Sequence, residues 1–439
     1  MQKAAAAGFV GALLEWYDFY LFAAASALVF GPLYFPSDDA LASTMAAFGA
    51  FAAGFLARPL GGLIFGHIGD RIGRKSSLVA TLLIMGVGTF LIGIVPTYGQ
   101  IGLAAPILLV VLRLLQGIGM GGEYGGASLI TIEHAPHGQR GFWGSLPQAA
   151  SPAGLLLATG FFGLVSLLPE DDFLTWGWRV PFLASLVALV IGLIIRLRIE
   201  ETPDFERSEP SERAPAMELV REYKRSAVLA TGARLAETVA GNMIKSFGIT
   251  YTTAVLGLSK QVPLGALTAT AAIGLLVTPL FGALGDRVGQ RGMYMTGAAC
   301  TTLLAFPFFW LLDARTGLAV WIGFILAYNL GPTLMLSVQP AFFTQLFGTR
   351  VRYTGLSFAY QISSIVGGLT PVISIKLLDL LGNRPWLVAG YIALFGAISF
   401  ASAAVGYRLG SKIPAAERAP AAAAPPAPPW TAARPRGRG

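Results

Sequence analysis

The sequence predicts an all-α membrane protein whose twelve transmembrane helices form two pseudo-symmetric six-helix bundles. Its composition excludes a soluble protein of this length, because 54% of the residues are hydrophobic and only 12% are charged. About twelve apolar runs each have the roughly 20 residues that a helix needs to cross a hydrocarbon core of about 30 Å. The segment GHIGDRIGRK at 66–75 recurs as GALGDRVGQR at 282–291, so the chain consists of two copies of one design.

One charged segment, at 200–225, interrupts the predicted spans. It separates an N-terminal bundle (1–199) from a C-terminal bundle (226–412), and the Pro- and Ala-rich tail (413–439) is expected to be disordered. Because internal repeats are typical of secondary transporters, the half-chain period favours a transporter. The predicted spans are 8–30, 45–66, 76–95, 103–131, 142–167, 179–199, 226–255, 262–284, 292–312, 317–344, 353–379 and 386–408.

The positive charges predict the orientation in the membrane. With both termini placed in the cytoplasm, 22 of the 31 Lys and Arg residues fall in cytoplasmic segments and four fall outside. This bias is the positive-inside signature, and it predicts a multi-pass membrane protein with both termini in the cytoplasm. It also accounts for the net charge of +8 without a nucleic-acid partner. The four outer residues are Arg179, Lys260, Arg315 and Arg384.

The first span carries two carboxylates. Glu15 and Asp18 are three residues apart and therefore lie on one face of a helix. A carboxylate near the middle of the membrane costs about 2.5–3.5 kcal/mol, and such residues usually line a water-filled path or a proton relay. Asp18 is therefore the first candidate proton carrier, and a structural ion pair that never titrates is the alternative.

The fourth span presents a polar side within the membrane. At 100° per residue Arg113, Gln116, Met120 and Tyr124 fall on one side, with Glu123 at its edge. The arginine is expected near the middle of the membrane, facing a cavity. There it could meet a substrate carboxylate or pair with the aspartate of the first span.

The seventh span carries a polar stripe, which is the counterpart in the second half of the polar side of the fourth span. Polar and small residues at helical spacing cross the membrane there, and such a stripe must face protein or water rather than lipid. Lys245, with Asn242 beside it, is the second candidate anion-binding group. The stripe consists of Arg234, Glu237, Gly241, Lys245, Gly248 and Thr252.

Uncharged side chains in other spans suit recognition of hydroxyl or carbonyl groups. Gln148 follows a proline in the fifth span, which predicts a kinked segment that faces the cavity. Asn329 lies in the tenth span, and Tyr360 and Gln361 lie in the eleventh. Ordinary hydrogen bonds between helices would explain each of them equally well.

The repeated loop predicts a gate. Asp70 could sit against the positive N-terminus of another helix and hold one side of the protein shut. The second copy has Gln290 in place of Arg74, which weakens the case for equivalent gating. The candidate gating residues are Asp70, Arg71, Arg74, Asp286 and Arg287.

Apart from groups near the ends of the spans, the charges inside the spans balance, four against four. Unpaired, they would cost on the order of 20 kcal/mol, so they must pair, hydrate or titrate. A bound carboxylate could displace an internal acid from Arg113 or Lys245, and that acid would then take a proton. The acids, which are the candidate proton-coupling residues, are Glu15, Asp18, Glu123 and Glu237; the bases are Arg58, Arg113, Arg234 and Lys245.

Six motifs occur together: EWYDFY at 15–20, ARPLGGLIFGHIGDRIGRK at 57–75, RLLQGIGMGGEYGG at 113–126, RGFWGSLPQ at 140–148, WGWRVPF at 176–182 and EETPDF at 200–205. In this combination the chain resembles the metabolite:proton symporter branch of the major facilitator superfamily. The resemblance implies a central site, alternating access, and uptake of small metabolites with protons across a bacterial inner membrane. Members of that family carry shikimate, 2-oxoglutarate, citrate and related acids, or proline and betaine.

The leading hypothesis is a proton-coupled symporter for a small organic anion. The alternatives are a symporter for a zwitterionic osmolyte and a membrane sensor that binds a metabolite without moving it. An enzyme is not expected, because the sequence has no nucleophile–base set and no metal cluster. The hypothesis needs a small-molecule substrate, protons and membrane lipids, and it needs no cofactor, metal or nucleic acid. The chain is expected to act as a monomer.

Overall fold

The computed structural model describes residues 2–71, 74–121, 132, 135–136, 138–197, 223–347 and 352–410. Within these ranges the chain forms helices that run back and forth, and we label the long ones α1 to α12 in chain order. α1 is Gln2–Ala25, continued by Ser26–Phe30 and Gly31–Tyr34; α2 is Ala40–Arg71; α3 is Arg74–Ile94; α4 is Ala104–Gly121; α5 is Arg140–Gln148 and Ala150–Val165; α6 is Arg179–Leu197. α7 is Lys224–Asn242, continued by Met243–Phe247, Gly248–Thr250 and Tyr251–Val255; α8 is Gln261–Val288; α9 is Gln290–Asp313; α10 is Gly317–Tyr328, Asn329–Thr333 and Leu334–Phe343; α11 is Arg352–Leu380; α12 is Trp386–Gly410.

Each of the twelve predicted spans overlaps one of these helices, which confirms the predicted fold; the parts of the fourth and sixth spans at 122–131 and 198–199 lie outside the described residues. Ten of the described helices are long and apolar enough to cross a membrane. The other two are α3, with a shorter apolar part at Val79–Ile94, and α7. α7 differs because Arg234, Glu237 and Lys245 interrupt its apolar sequence.

Four of the long-helix segments are π-helical rather than α-helical. They are Ser26–Phe30 in α1, Met243–Phe247 and Tyr251–Val255 in α7, and Asn329–Thr333 in α10. An inserted π turn rotates the side chains that follow it, and such turns often occur at functional sites. No feature of the sequence predicts these turns.

Glycines bring α2 and α4 into backbone contact. The glycine run Gly61, Gly62 and Gly66 in the second predicted span is a small-residue pattern, which predicts close packing against a neighbouring helix. A Cβ atom at Gly61 would overlap the carbonyl oxygen of Ile118, and one at Gly117 would overlap that of Gly54. Because backbones can approach this closely only where side chains are absent, these glycines fix how α2 and α4 pack together.

The two halves meet along two pairs of helices. α5 packs along α8, and α2 packs against α11, where Phe55 fills the space beside Gly368. We call the end of the protein with the α1–α2 and α7–α8 connections the distal face, and the end with the α2–α3 and α8–α9 connections the proximal face. At the distal face Gln261 donates to the carbonyl oxygen of Ser166 (2.8 Å), and Lys260 pairs with Glu170. The halves are therefore in contact from one face to the other along the α5–α8 seam.

Candidate functional site

The predicted proton carrier lies inside the first half. Asp18 on α1 is 6% exposed, and its carboxylate faces the hydroxyl of Thr89 and the guanidinium of Arg113. A cavity of about 10 Å³ between α1, α3 and α6 is lined by Glu15 and Asp18. That volume is enough for about one water molecule. Asp18 therefore combines burial, a basic neighbour and a small adjacent cavity.

Arg113 is enclosed by aromatic rings. Its side chain is among the largest fully buried ones, and its guanidinium lies 4.5 Å from the ring centre of Phe22 and 5.1 Å from that of Phe51. It donates to Gln116 Oε1 (3.3 Å), and Gln116 Nε2 donates to Thr89 Oγ1 (2.6 Å). Rings of α1 and α2 therefore lie against this guanidinium, and its role as a substrate contact or as the partner of the aspartate of α1 stays a prediction.

Lys245 lies where α7 meets the first half. Its Nζ donates to the hydroxyl oxygen of Tyr20 (3.3 Å), and it lies 4.4 Å from the ring centre of Tyr20 and 5.4 Å from that of Tyr328. Tyr20 in turn shares a hydrogen bond of 2.6 Å with Ser151 of α5. Among the described residues no carboxylate lies within the 4.0 Å of an ion pair. Lys245 is therefore a buried cation surrounded by aromatic and hydroxyl groups.

Arg234 and Glu237, two to three helical turns before that lysine on α7, form an ion pair. Their charged atoms are 3.3 Å apart, and both side chains are buried. Arg234 also donates to the hydroxyls of Ser363 (2.7 Å) and Ser364 (3.0 Å) and lies 3.5 Å from the ring centre of Tyr360. The polar stripe predicted on α7 thus faces protein, as expected.

Ionisable groups from both halves come within electrostatic range of each other. Arg58 on α2 lies within range of Glu15 in its own half and of Tyr360 and Arg234 in the other half. Its guanidinium lies 4.4 Å from the ring centre of Phe55. These groups form one buried polar region between the halves rather than separate patches facing lipid.

The uncharged candidates are also buried, and some have unused hydrogen-bonding capacity. Asn329 donates to the carbonyl oxygens of Ile325 (3.1 Å) and Thr270 (3.3 Å), but its Oδ1 has no partner in the described structure. Gln361 donates to the carbonyl oxygen of Gly121 across the halves (3.2 Å), and its Oε1 is likewise unpartnered. Gln148 and Asn242 are each 4% exposed.

Asp286, the counterpart of Asp70 in the second copy, lies in the last turn of α8 and makes a contact of the kind that the sequence predicts for Asp70. Asp286 accepts hydrogen bonds from the backbone amides of Gly141 (2.7 Å) and Phe142 (2.9 Å), which are in the first turn of α5. Gln290, the residue that departs from the first copy, donates to the same carboxylate (2.8 Å). Arg287 is exposed. The contact joins the two halves at the proximal face.

Several predicted residues cannot be placed. Glu123 and Tyr124 lie outside the described residues, and the side chains of Asp70, Arg71 and Arg74 do so as well. Among the residues that are described, no group of three His, Cys, Asp or Glu side chains could hold a metal ion.

Sequence reasoning missed four residues of the site. Tyr20 and Tyr328 surround the Lys245 ammonium, Ser151 bonds Tyr20, and Thr89 links Asp18 to the Gln116 amide. An aromatic or hydroxyl residue in an apolar helix is usually part of the packing, so none of these gives a signal alone. The one available clue was the position of Tyr20, two residues after Asp18 in the motif EWYDFY.

Comparisons with known proteins agree on one group of transporters. The profile of the sugar (and other) transporter family matches residues 4–228. The shikimate transporter of Escherichia coli (strain K12) is 40% identical over 400 residues, which cover 89% of this chain and 91% of that protein. The inner membrane metabolite transport protein YhjE of the same strain is 39% identical over 376 residues, covering 83% of this chain and 85% of that one.

A relative with a differently named substrate and a solved structure extend the comparison. The proline/betaine transporter of Escherichia coli (strain K12) is 34% identical over 395 residues, which cover 86% of this chain and 78% of that protein. The crystal structure of a D-xylose-proton symporter superposes with a TM-score of 0.69 at 20% identity, covering 93% of this chain and 97% of that one. At that identity the likeness shows the fold.

Proposed function

Because this chain belongs to the metabolite:proton symporter family of the major facilitator superfamily, we propose that it takes up a small organic acid together with protons by alternating access. Membership makes it a proton-coupled transporter of a small molecule, not an enzyme, and a multi-pass protein of the inner membrane. Transport by the relatives favours this function over a sensor that binds a metabolite without moving it. We propose further that the chain works as a monomer with both termini in the cytoplasm.

The observation that carries the choice of an anion is the surroundings of Lys245. A buried ammonium without a carboxylate partner is costly, and a substrate carboxylate would supply the missing counter-charge. Arg58 and Arg113 also lack a carboxylate within 4.0 Å among the described residues, and aromatic rings lie against their guanidinium groups as they do against the Lys245 ammonium. Lys245 is distinguished by its hydrogen bond across the junction of the halves, to the hydroxyl of Tyr20.

Helix α1 connects the proposed substrate site to the proposed proton site. It carries Tyr20, which contacts Lys245, and it also carries Asp18. A carboxylate that bound at Lys245 would add negative charge to a region that already holds buried acids, and proton binding by one of them would relieve the repulsion. Asp18 is our choice for that acid, because a water-sized cavity gives it a route for a proton. A monoanion that enters with one proton moves no net charge, so the pH gradient drives that step. Each additional proton would gain about 2.3 kcal/mol from a membrane potential of 100 mV, which supports roughly fifty-fold accumulation.

Alternating access would use the contacts between the halves. We take residues 1–199 and 226–412 as the two moving bodies and the proximal face as the cytoplasmic side. The Asp286 carboxylate, bound to the first turn of α5, would hold that side shut and release it when the halves rock. Its favourable contact with the positive end of the helix supports this role.

The unpartnered acceptors favour a hydroxylated acid. Asn329 Oδ1 and Gln361 Oε1 are buried acceptors without a donor, and the hydroxyl of Thr333 is unpartnered as well. Because buried polar groups are normally satisfied, a ligand with several hydroxyl groups would complete them. Shikimate, the substrate in the name of one relative, has both a carboxylate and hydroxyl groups, and it is the first compound to test.

A zwitterionic substrate such as glycine betaine is the second candidate. Rings of Tyr20 and Tyr328 could surround a quaternary ammonium, which aromatic rings bind well. In this chain, however, the Lys245 ammonium already occupies the space between those rings. A cationic group would have to displace it or meet a like charge, and the acid is therefore favoured.

Transport assays in proteoliposomes test the proposal. With the interior alkaline, purified protein should accumulate radiolabelled shikimate above the external concentration, and counterflow should occur without a gradient. Glycine betaine at the same concentration should give neither. Accumulation of glycine betaine without shikimate would contradict the choice of an acid. Tight shikimate binding with no flux under any gradient would contradict transport of this substrate.

A further inference from the structure

A second cavity, of about 600 Å³, opens at the distal face. The start of α2, the end of α7 and the α9–α10 and α11–α12 connections line it, so both halves contribute. Small-molecule sites typically occupy about 300–1,000 Å³. Ala254 lines this cavity and lies nine residues after Lys245 in α7. At a rise of 1.5 Å per residue, the two positions are no more than about 14 Å apart along the helix.

Positive side chains outnumber negative ones in the lining of this cavity. Arg315 and Arg384 line it together with a single carboxylate, Asp313. That carboxylate already accepts a hydrogen bond of 2.6 Å from the hydroxyl of Tyr251. Neither arginine side chain has an ion pair or hydrogen bond within the described part of the chain, so both guanidinium groups are available to a ligand.

The other two basic residues predicted on this side are already bound. Arg179 donates to the carbonyl oxygens of Gly93 (2.8 Å) and Val95 (2.9 Å). Lys260 pairs with Glu170. Of the four basic residues predicted outside the membrane, the two with uncommitted side chains are thus the two that converge on one cavity.

The backbone at Arg315 gives an independent reason to assign it a role. Its φ is 55°, and its amide donates to the carbonyl oxygen of Leu312 at the end of α9. Glycine is the usual residue at such a helix end, because a side chain is strained in the left-handed conformation. Within the described residues Asn383, with φ of 64°, is the one other non-glycine residue with positive φ, and it lines the same cavity.

We propose that this cavity is an anion-collecting vestibule, in which Arg315 and Arg384 bind the carboxylate of the substrate before it reaches Lys245. The inference rests on the proposed organic-acid transport and adds a second, weaker site on the distal side. A cleft lined by one sign of charge raises the local concentration of the oppositely charged ligand and its rate of entry. The vestibule therefore acts on capture at low substrate concentration rather than on the maximal rate.

The local potential can be measured without any transport. In a Cys300→Ser background, which removes the single cysteine, Ala254→Cys places a thiol on the exposed wall of the cavity. We would measure how fast this thiol reacts with two methanethiosulfonate reagents, the negatively charged sulfonatoethyl and the positively charged trimethylammonioethyl compound. The double variant Arg315→Gln/Arg384→Gln should lower the ratio of the first rate to the second at least about fivefold at low salt. The difference should disappear near 1 M salt, where the Debye length is about 3 Å.

Two further variants distinguish the effect of the arginine charges on the ratio from an effect on folding. Lys376→Gln removes a positive charge at the same end of the protein but outside the cavity, from an exposed pair with Asp379. It should leave the ratio unchanged. Arg315→Gly removes the charge and the strained side chain together, so it should lower the ratio while the thermal unfolding temperature stays the same or rises. An equal ratio in wild type and the double variant, or an equal fall in Lys376→Gln, would overturn the vestibule.

Uptake assays then test the effect on capture. For radiolabelled shikimate at low ionic strength, the double variant should raise KM several-fold and leave the maximal rate unchanged, and high salt should remove the difference. An unchanged KM, with the reagent ratio lowered, would overturn the capture role. If wild type moves no shikimate, the proposed function fails for that acid, while the reagent ratio still decides whether the cavity attracts anions.

Discussion

Lys245 illustrates how one side chain can define the chemistry of a site. It is buried, it contacts a tyrosine of the other half, and it lacks a carboxylate partner among the described residues. Because few charges fall within the apolar spans, the sequence alone marks Lys245 as a candidate. The rings around it were not predictable, because Tyr20 and Tyr328 come from helices 225 residues before and 83 residues after it.

Replacing Lys245 tests its role in binding the substrate. Lys245→Ala should weaken shikimate binding about ten- to hundredfold, because a charge-assisted hydrogen bond contributes about 1.5–3 kcal/mol. Lys245→Arg keeps the charge and should retain part of the affinity. Isothermal titration with purified protein measures both. Equal affinity in wild type and Lys245→Ala would remove the reason for choosing an anion.

Asp18 is the residue on which proton coupling depends in our proposal. Asp18→Asn keeps the size of the side chain but cannot carry a proton, so accumulation driven by a pH gradient should be lost. Exchange of internal for external substrate moves no net proton and should continue. Asp379→Asn is the matched control, because it makes the same change on an exposed side chain. Wild-type accumulation by Asp18→Asn would exclude this residue as the carrier.

The packing of α2 against α4 is an element-level feature that the sequence did predict. Glycine spacing indicated close approach, and the Gly61 and Gly117 contacts confirm it. The π-helical turns of α1, α7 and α10 were not predictable, since no residue type marks them. Their formation depends on how side chains of several helices pack together, and those contacts are long-range.

A substitution in α2 tests how tightly these helices pack. Gly61→Ala forces a Cβ onto the backbone of α4 and should destabilise the protein by about 1–3 kcal/mol, as overpacking does. Gly49→Ala, in the same helix, meets no atom within 4 Å and should be neutral or slightly stabilising. Thermal unfolding in detergent compares the two. Equal melting temperatures would show that α2 and α4 can move apart at little cost.

The cross-half contact at the start of α5 can be tested in the same way. Asp286→Ala removes an acceptor that caps α5, a loss of about 0.5–2 kcal/mol, and should shift the population toward states open at the proximal face. Spin labels at positions 139 and 284, in a Cys300→Ser background, would report a longer distance. Glu170→Gln breaks an exposed contact at the distal face instead. It should not lengthen that distance, and a distance unaltered by Asp286→Ala would contradict the gating role.

The arrangement of two bundles was largely predictable from the sequence. Three features together predicted two bundles of helices: the repeated loop with its glycines and arginines, the apolar runs, and the charge bias. The comparisons confirm that fold. The contacts between the halves were harder to predict from the sequence. The Gln290 substitution suggested a weaker second gate, yet Gln290 supports Asp286 directly, because an amide can donate to the carboxylate as an arginine would.

The buried polar region between the halves binds substrate and proton together in our account. The most direct test is proton uptake when substrate binds to purified protein in a weakly buffered solution with a pH-sensitive dye. Addition of shikimate should remove protons from solution in proportion to the substrate bound, and Asp18→Asn should bind shikimate without doing so. Saturating binding to wild type with no proton uptake would contradict the account.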